Sequence, residues 1–194
     1  IKLVEEYVQA ERQVLFLLPE IALTTQLVQR LTAYFGNEVA VFHSKYTNNE
    51  RIEVWNQVLE NSPKAKVVIG VRSALFLPFS NLGCIIVDEE HEQTYKQTDP
   101  APRYHARDAA IVLAKQHKAK VLLGSATPSL ETYYNVQSKK YGLTELTIRY
   151  GNVVLPEIEL IDIKDKYFRK KMTGHFSDVL LEGITETIAN GEQV

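Results

Sequence analysis

The sequence is short of several things, and each shortage closes a route. Cysteine occurs once, at Cys84. An internal disulfide framework is therefore excluded, and the usage fits a reducing compartment. No apolar run approaches the ~20 residues that a membrane-spanning helix needs, and no signal-peptide pattern is present. We therefore expect a cytoplasmic protein with no membrane partner. Charge of one sign is also scarce: the formal net charge is −2. No global basic field draws in a polyanion, so any such partner must be met by a local patch. Internal repeats and low-complexity tracts are missing as well.

What remains is ordinary globular material: 194 residues, 45% hydrophobic and 24% charged. That suffices for one sizeable core, or one core and the start of another. Both ends look like cuts in a larger protein. Ile1 already lies in a helix-like pattern with Leu3, Val4, Tyr7 and Val8, and a last helix stops near Gly191.

Short apolar runs alternate with helical spacing. Strands are expected at Gln13–Leu18, Glu38–Phe42, Lys66–Gly70, Cys84–Val87 and Lys120–Gly124. Helices are expected over Ile21–Phe35, from the Thr47-x-x-Glu50 capping box through Ile52, Trp55, Val58 and Leu59, over Arg103–Gln116, and from Pro128 to Val136. Trp55 is expected in the core. Near-continuous apolar strands alternating with helices imply a parallel sheet covered on both faces, an α/β fold. After Gly142 the pattern weakens: "LTELTI" and "PEIELIDI" look like strands, "KDKYFRKK" like a solvated basic loop, and Ser177 like the cap of a final helix.

Polar residues collect just past the strand ends, where open α/β sheets bind ligands. "CIIV" runs directly into Asp88-Glu89-Glu90-His91. A buried strand can aim Asp88 at a hydrated Mg²⁺, which takes oxygen ligands. Glu89 can then activate a water against a phosphoryl group. A solvated acidic loop is the plainer reading of the same letters. "VLLGSATPS" places Ser125 and Thr127 past the next apolar strand, where hydroxyls could relay the state of a neighbouring carboxylate. Thr127 could equally be a helix cap, with Pro128 at the first helical position. Tyr95, Lys96, Arg103, Tyr104, His105 and Arg107 interleave rings with cations, the composition that grips single-stranded DNA by stacking and backbone attraction.

Apolar-Asp-Glu-x-His followed one βα unit later by Ser-Ala-Thr resembles motifs two and three of the superfamily-two helicases. The longer runs "LLPEIALTTQ", "HSKYTNNER", "VVIGVRSALFLPFSNLGCIIVDEEH", "YKQTDPAPRYHARDAA" and "LLGSATPSLET" are similar to the primosomal, replication-restart helicases of bacteria. The resemblance covers nearly the whole chain. It implies a RecA-like three-layer sandwich of the P-loop NTPase class, incomplete at its N-terminus. Residues 1–142 would be motor lobe one, 143–175 its edge strands and a basic connector, and 176–194 the start of lobe two. It implies ATP and Mg²⁺ as cofactors, with Asp88 on the metal and Glu89 as the base. His91, Ser125 and Thr127 would couple hydrolysis to movement. Thr24, Thr25, Gln26, Arg72 and Ser73 would lie along the DNA, and the segment with Tyr95, Lys96, Arg103 and Tyr104 would sense it. Single-stranded and forked DNA, single-strand-binding protein and replication-restart proteins would be the partners, in a bacterial, nucleoid-associated setting. Zinc would belong only to a C-terminal part outside these residues.

The chain departs from that pattern in one weighty respect. No Gly-x-x-x-x-Gly-Lys-Ser/Thr loop occurs in it, so these residues alone should bind ATP weakly or not at all. Two other readings therefore stand: another nucleic-acid translocase of the same superfamily, or a non-catalytic lobe that holds DNA or a protein. A carboxylate nuclease site using Asp88, Glu89, Glu90 and Glu92 is more distant, because no second acidic cluster stands at another strand end.

Overall fold

The computed structural model describes residues 1–19, 25–43, 46–148 and 157–194, without the side chains of 25 and 26. The chain divides into two compact units, Ile1–Leu143 and Thr144–Val194.

The first unit is built on five parallel strands. They are β1 (Gln13–Leu17), β2 (Val39–Phe42), β3 (Val67–Gly70), β4 (Leu82–Val87) and β5 (Lys120–Leu123), in the spatial order β2-β3-β1-β4-β5. All five expected strands are present, with ends shifted by one or two residues. The register aligns the C-terminal ends: Leu17 opposite both Gly70 and Val87, and Val87 opposite Leu123.

Alternation along the strands produces two cores. Leu15, Leu17, Val68, Ile85 and Val87 face one way, and pack with residues of α3 (Asn48–Leu59) and α4 (Ala106–His117). Val14, Val67, Ile69, Cys84 and Ile86 face the other way, toward α1 (Lys2–Gln9) and α2 (Thr25–Phe35). Two helical layers thus enclose the sheet, the three-layer α/β arrangement expected from doubly apolar strands. Burial raises the Cys84 thiol pKa to about 11, Arg12 opposing it only weakly, so the lone cysteine is an inert core group.

Helix α3 begins as expected. Thr47 accepts the Glu50 N–H and the Glu50 carboxylate accepts the Thr47 N–H, a complete capping box. Its buried side is only partly the expected one. Val54 and Val58 enter the core, whereas Ile52, Trp55 and Leu59 are exposed, Trp55 at 45%. Two apolar stripes share this helix, and the sheet takes the slimmer one. Gly70 shows why space is tight at that end of the sheet. A Cβ there would stand 2.5 Å from Ala74 Cβ and 2.9 Å from the Phe42 carbonyl oxygen.

Helix α5 (Leu130–Gln137) is capped by Ser129, which accepts the Thr132 N–H, and not by Thr127. In the second unit the expected strands at 143–148 and 157–162 are not formed; these described residues have no regular structure. Among the described residues no neighbouring strand accepts a ladder from them, and a strand pattern alone is insufficient. The basic run is helical instead: α6 (Ile163–Phe168) starts at Asp162, whose carboxylate accepts the N–H groups of Lys164 and Asp165. A short hairpin, β6 (Met172–Thr173) with β7 (Phe176–Ser177), leads to α7 (Asp178–Ala189). Ser177 caps α7 as its position suggested. Among the described residues no helix is long and apolar enough to cross a membrane.

Candidate active site

The site forms where β1, β4 and β5 end together. The Asp88 N–H continues the ladder to Leu17 O at 3.0 Å, and the Gly124 N–H reaches Val87 O at 2.9 Å. These bonds set the acidic turn beside the Gly124–Ser125 junction. The Asp88 carboxylate stands over Gly124, where an added Cβ would lie 3.4 Å from Oδ1. Asp88 Oδ1 also accepts the Glu89 N–H at 3.2 Å.

Glu89 holds a left-handed backbone, φ 47°, a conformation that is uncommon for a residue with a side chain. Its half-exposed carboxylate lies 3.6 Å from His91 Nδ1. His91 Nδ1 is also 2.7 Å from Ser125 Oγ, and His91 Nε2 is 3.4 Å from Thr127 Oγ1. The Thr127 N–H donates to Ser125 Oγ at 3.0 Å. His91 Nδ1 accepts the Ser125 hydroxyl when the ring proton is on Nε2, and donates to Ser125 Oγ when it is on Nδ1. The five residues expected at the chemical centre therefore converge: Asp88, Glu89 and His91 on one turn, Ser125 and Thr127 on the next.

Among the described residues no group of three or more His, Cys, Asp or Glu is spaced to hold a metal by itself. A half-exposed carboxylate with one oxygen tied down suits a different mode, one protein oxygen on a cation that keeps waters and substrate phosphates. The donor set thus fits hydrated Mg²⁺ and does not fit a dedicated metal cage.

Tyr95 corrects an expectation. It is 1% exposed, and its hydroxyl lies 2.7 Å from Asp88 O and 3.0 Å from Leu17 O. Burial first, then the Asp88, Glu89 and Glu92 charges, push the phenol far above its ordinary pKa. A ring enclosed in this way cannot stack on a base. It is a peg that fixes the acidic turn to β1, as an amphipathic tyrosine does when its hydroxyl finds carbonyls.

Arg107 is buried as well, and the rest of the ring-and-cation segment is more open. Lys96 bridges His105 in an antiparallel pair, and the Gln97 N–H donates to Tyr104 O at 2.9 Å, closing a loop between them. Gln97 Nε2 ties that loop internally by donating to Pro100 O and Pro102 O. Lys96 and Arg103 are exposed and Tyr104 is half-buried. Tyr104 meets Phe76 edge-to-face, with centroids 5.1 Å apart. Burial raises the Tyr104 pKa against the opposing effect of Arg72. Arg72 opens the turn after β3 and donates to Thr94 O at 2.9 Å, and Ser73 beside it is exposed. Thr24 lies outside the described residues, as do the side chains of Thr25 and Gln26.

The residues that sequence reasoning missed lie just behind this front. Glu90, third in the acidic run, is 1% exposed. It accepts Arg107 Nη1 at 3.0 Å, the Ser129 N–H at 2.7 Å, Ser129 Oγ at 3.0 Å and Thr132 Oγ1 at 2.9 Å. Burial pushes its carboxyl up, but these hydrogen bonds together outweigh that and hold it below the ordinary carboxylate value. The signal was available in part: Arg107 falls on the small, buried face of α4 with Ala106, Ala110 and Ala114, and a buried arginine demands a carboxylate. Phe76, 57% exposed, was the other omission.

The sequence matches the DEAD/DEAH box helicase family over residues 1–136. It is similar to replication restart protein PriA of Bacillus subtilis, 43% identical over 190 residues, covering 98% of this chain and 23% of that protein. The corresponding protein of Rickettsia prowazekii is 46% identical over 191 residues, covering 98% and 29%. That of Haemophilus influenzae is also 46% identical over 191 residues, covering 98% and 25%. The chain thus spans about a quarter of the length of the curated relatives it matches.

Proposed function

Since the chain belongs to the DEAD/DEAH box helicase family, we propose that it is the first motor lobe of an ATP-dependent DNA helicase that reloads the replication machinery at stalled forks. The observation that carries the reading is the convergence of Asp88, Glu89, His91 and Ser125 past the ends of two adjacent parallel strands. Similarity to the PriA proteins along almost the whole chain supports the replication-restart assignment.

In this reading bound ATP supplies the phosphoryl group and Mg²⁺ offsets its charge. Asp88 would hold the cation. Glu89, half-exposed and pinned in its turn, would orient the attacking water and take its proton. His91 and Ser125 would report the protonation and position of Glu89 to the Ser125–Thr127 loop. Lys96, Arg103 and Tyr104, with Arg72 and Ser73, would meet single-stranded DNA. Thr24, Thr25 and Gln26 would extend that track. The grip on the β- and γ-phosphates would come from a glycine-rich loop elsewhere in the intact protein. Residues 1–142 would form this lobe, 143–175 a basic connector, and 176–194 the start of the second lobe. Forked DNA, single-strand-binding protein, other restart proteins, a zinc site further along the intact chain and a place on the nucleoid belong to the same reading.

The test is Glu89→Gln in the intact protein. ATP binding should persist while turnover falls by about 10²–10⁴-fold, the usual worth of a general base. Turnover within about two-fold of the parent would overturn the assignment.

A further inference from the structure

Glu90 and Arg107 form a charged pair sealed in the protein: Glu90 is 1% exposed and Arg107 is buried beside it. Burying two charges costs several kcal/mol of solvation, and well-packed apolar residues often serve stability as well. Cohesion alone is therefore a weak account of the pair. Its placement offers a better one. Glu90 follows Glu89, whose left-handed backbone is energetically costly for a residue with a side chain. The Glu90 N–H donates to Gly124 O at 3.0 Å, and its carboxylate takes Arg107, Ser129 and Thr132. Tyr95 pegs the acidic turn to β1, and Glu90 ties it to β5, α4 and α5.

The other end of the pair sits equally close to the loop. Arg107 lies in the first turn of α4, two residues after His105, which is the helix cap and the partner of Lys96 in the antiparallel bridge. The exposed cations Lys96 and Arg103 and the Phe76–Tyr104 rings belong to that loop and its contact. The bridge and the helical turn that carries Arg107 are therefore continuous in the chain.

We propose that Glu90 and Arg107 are a positioning pair, a strut through which a nucleic-acid strand seated on the 96–105 loop sets the pose of Glu89. The inference rests on the helicase reading given above. It assigns neither residue a contact with ATP or with DNA. Coupling between two sites typically amounts to about 5–150-fold, so loss of the strut should be visible in a ratio of rates.

The experiment measures ATP turnover of the intact protein with and without saturating single-stranded oligonucleotide. The ratio of the two rates is independent of the fraction of molecules folded, so a merely structural defect leaves it unmoved. Arg107→Met should lower the ratio by about ten-fold. Oligonucleotide affinity should stay within about three-fold, because the replaced side chain is buried. Arg107→Lys, which keeps the charge but not the planar fork, should recover part of the loss. Thr132→Val removes only one donor to Glu90, and should lower the ratio by about two- to five-fold in a well-folded protein. That variant decides the matter should Arg107→Met fail to fold. A ratio within about two-fold of the parent in both would overturn the strut and leave the helicase reading standing. Absence of any DNA stimulation in the unmutated protein would overturn both.

Discussion

Replacing Glu90 by alanine tests the geometry behind the acidic turn most directly. Four donors converge on this carboxylate within 3.0 Å. Three of them have another partner within reach. The Ser129 and Thr132 hydroxyls already lie 3.1 Å apart and can pair with one another. Arg107 retains Asp108 at 2.9 Å and Ser129 Oγ at 2.6 Å. The Ser129 N–H is left with no acceptor, a loss of about 1–3 kcal/mol for a buried donor. The guanidinium also keeps its charge without the partner that was sealed in beside it. Breaking a buried pair from one side typically costs about 3–5 kcal/mol. We expect Glu90→Ala to destabilise the 194-residue chain by about 4 kcal/mol at pH 7. Glu90→Gln keeps an acceptor for Ser129 but turns a donor toward Arg107, and should lose roughly half as much. Urea unfolding followed by circular dichroism, with the slope unchanged, reads both values. The pH dependence adds a sign. Because the folded carboxyl is held below its unfolded value, its contribution is complete above about pH 4.3 and fades as pH falls through the folded value. The gap between parent and Glu90→Ala should therefore narrow in acid. A gap under about 1 kcal/mol at pH 7, or one that widens in acid, would refute the reasoning.

Two further substitutions probe the sheet and its cover. Gly70→Ala would push a methyl group against Ala74 and the Phe42 carbonyl; since backbone cannot step aside, a loss of about 3 kcal/mol is expected in the urea midpoint. Trp55→Ala should cost under about 1 kcal/mol, because the indole is 45% exposed. A loss of about 3–5 kcal/mol, usual for a core tryptophan, would show that the exposed stripe of α3 is packed after all.

The sheet and the chemical centre were legible because they rest on the strongest signals available. Strands buried on both faces must be apolar throughout, so "QVLFLL", "VVIG" and "CIIV" announced themselves, and the polar residues at their ends could fall only at the ligand edge. Helix α3 was legible as a helix but not in its rotation. Val54–Val58 and Ile52–Trp55–Leu59 both satisfy helical spacing, and only the partner surface chooses between them. Tyr95 was misplaced for a related reason: a tyrosine near cations serves equally as a stacking platform or as a peg. Residues 143–148 and 157–162 read as strands, but a strand pattern is a local property and pairing is not. Glu90 was hidden by its neighbours. Three adjacent acids look alike in a sequence, and only the turn decides that one points at Arg107 while the others look outward.

The position of β5 has a practical consequence. Among the described residues it is an outermost strand with β4 as its neighbour on one side, and Leu122 in its middle is 46% exposed. Unpaired peptide groups beside an exposed leucine are a template for edge-to-edge sticking between molecules. Lys120 at the start of β5 is exposed and supplies the charge that discourages such contact. Handled as an isolated fragment, this lobe should therefore aggregate in a concentration-dependent way, and more readily if Lys120 is neutralised. Anyone producing it for binding work would do well to keep that lysine.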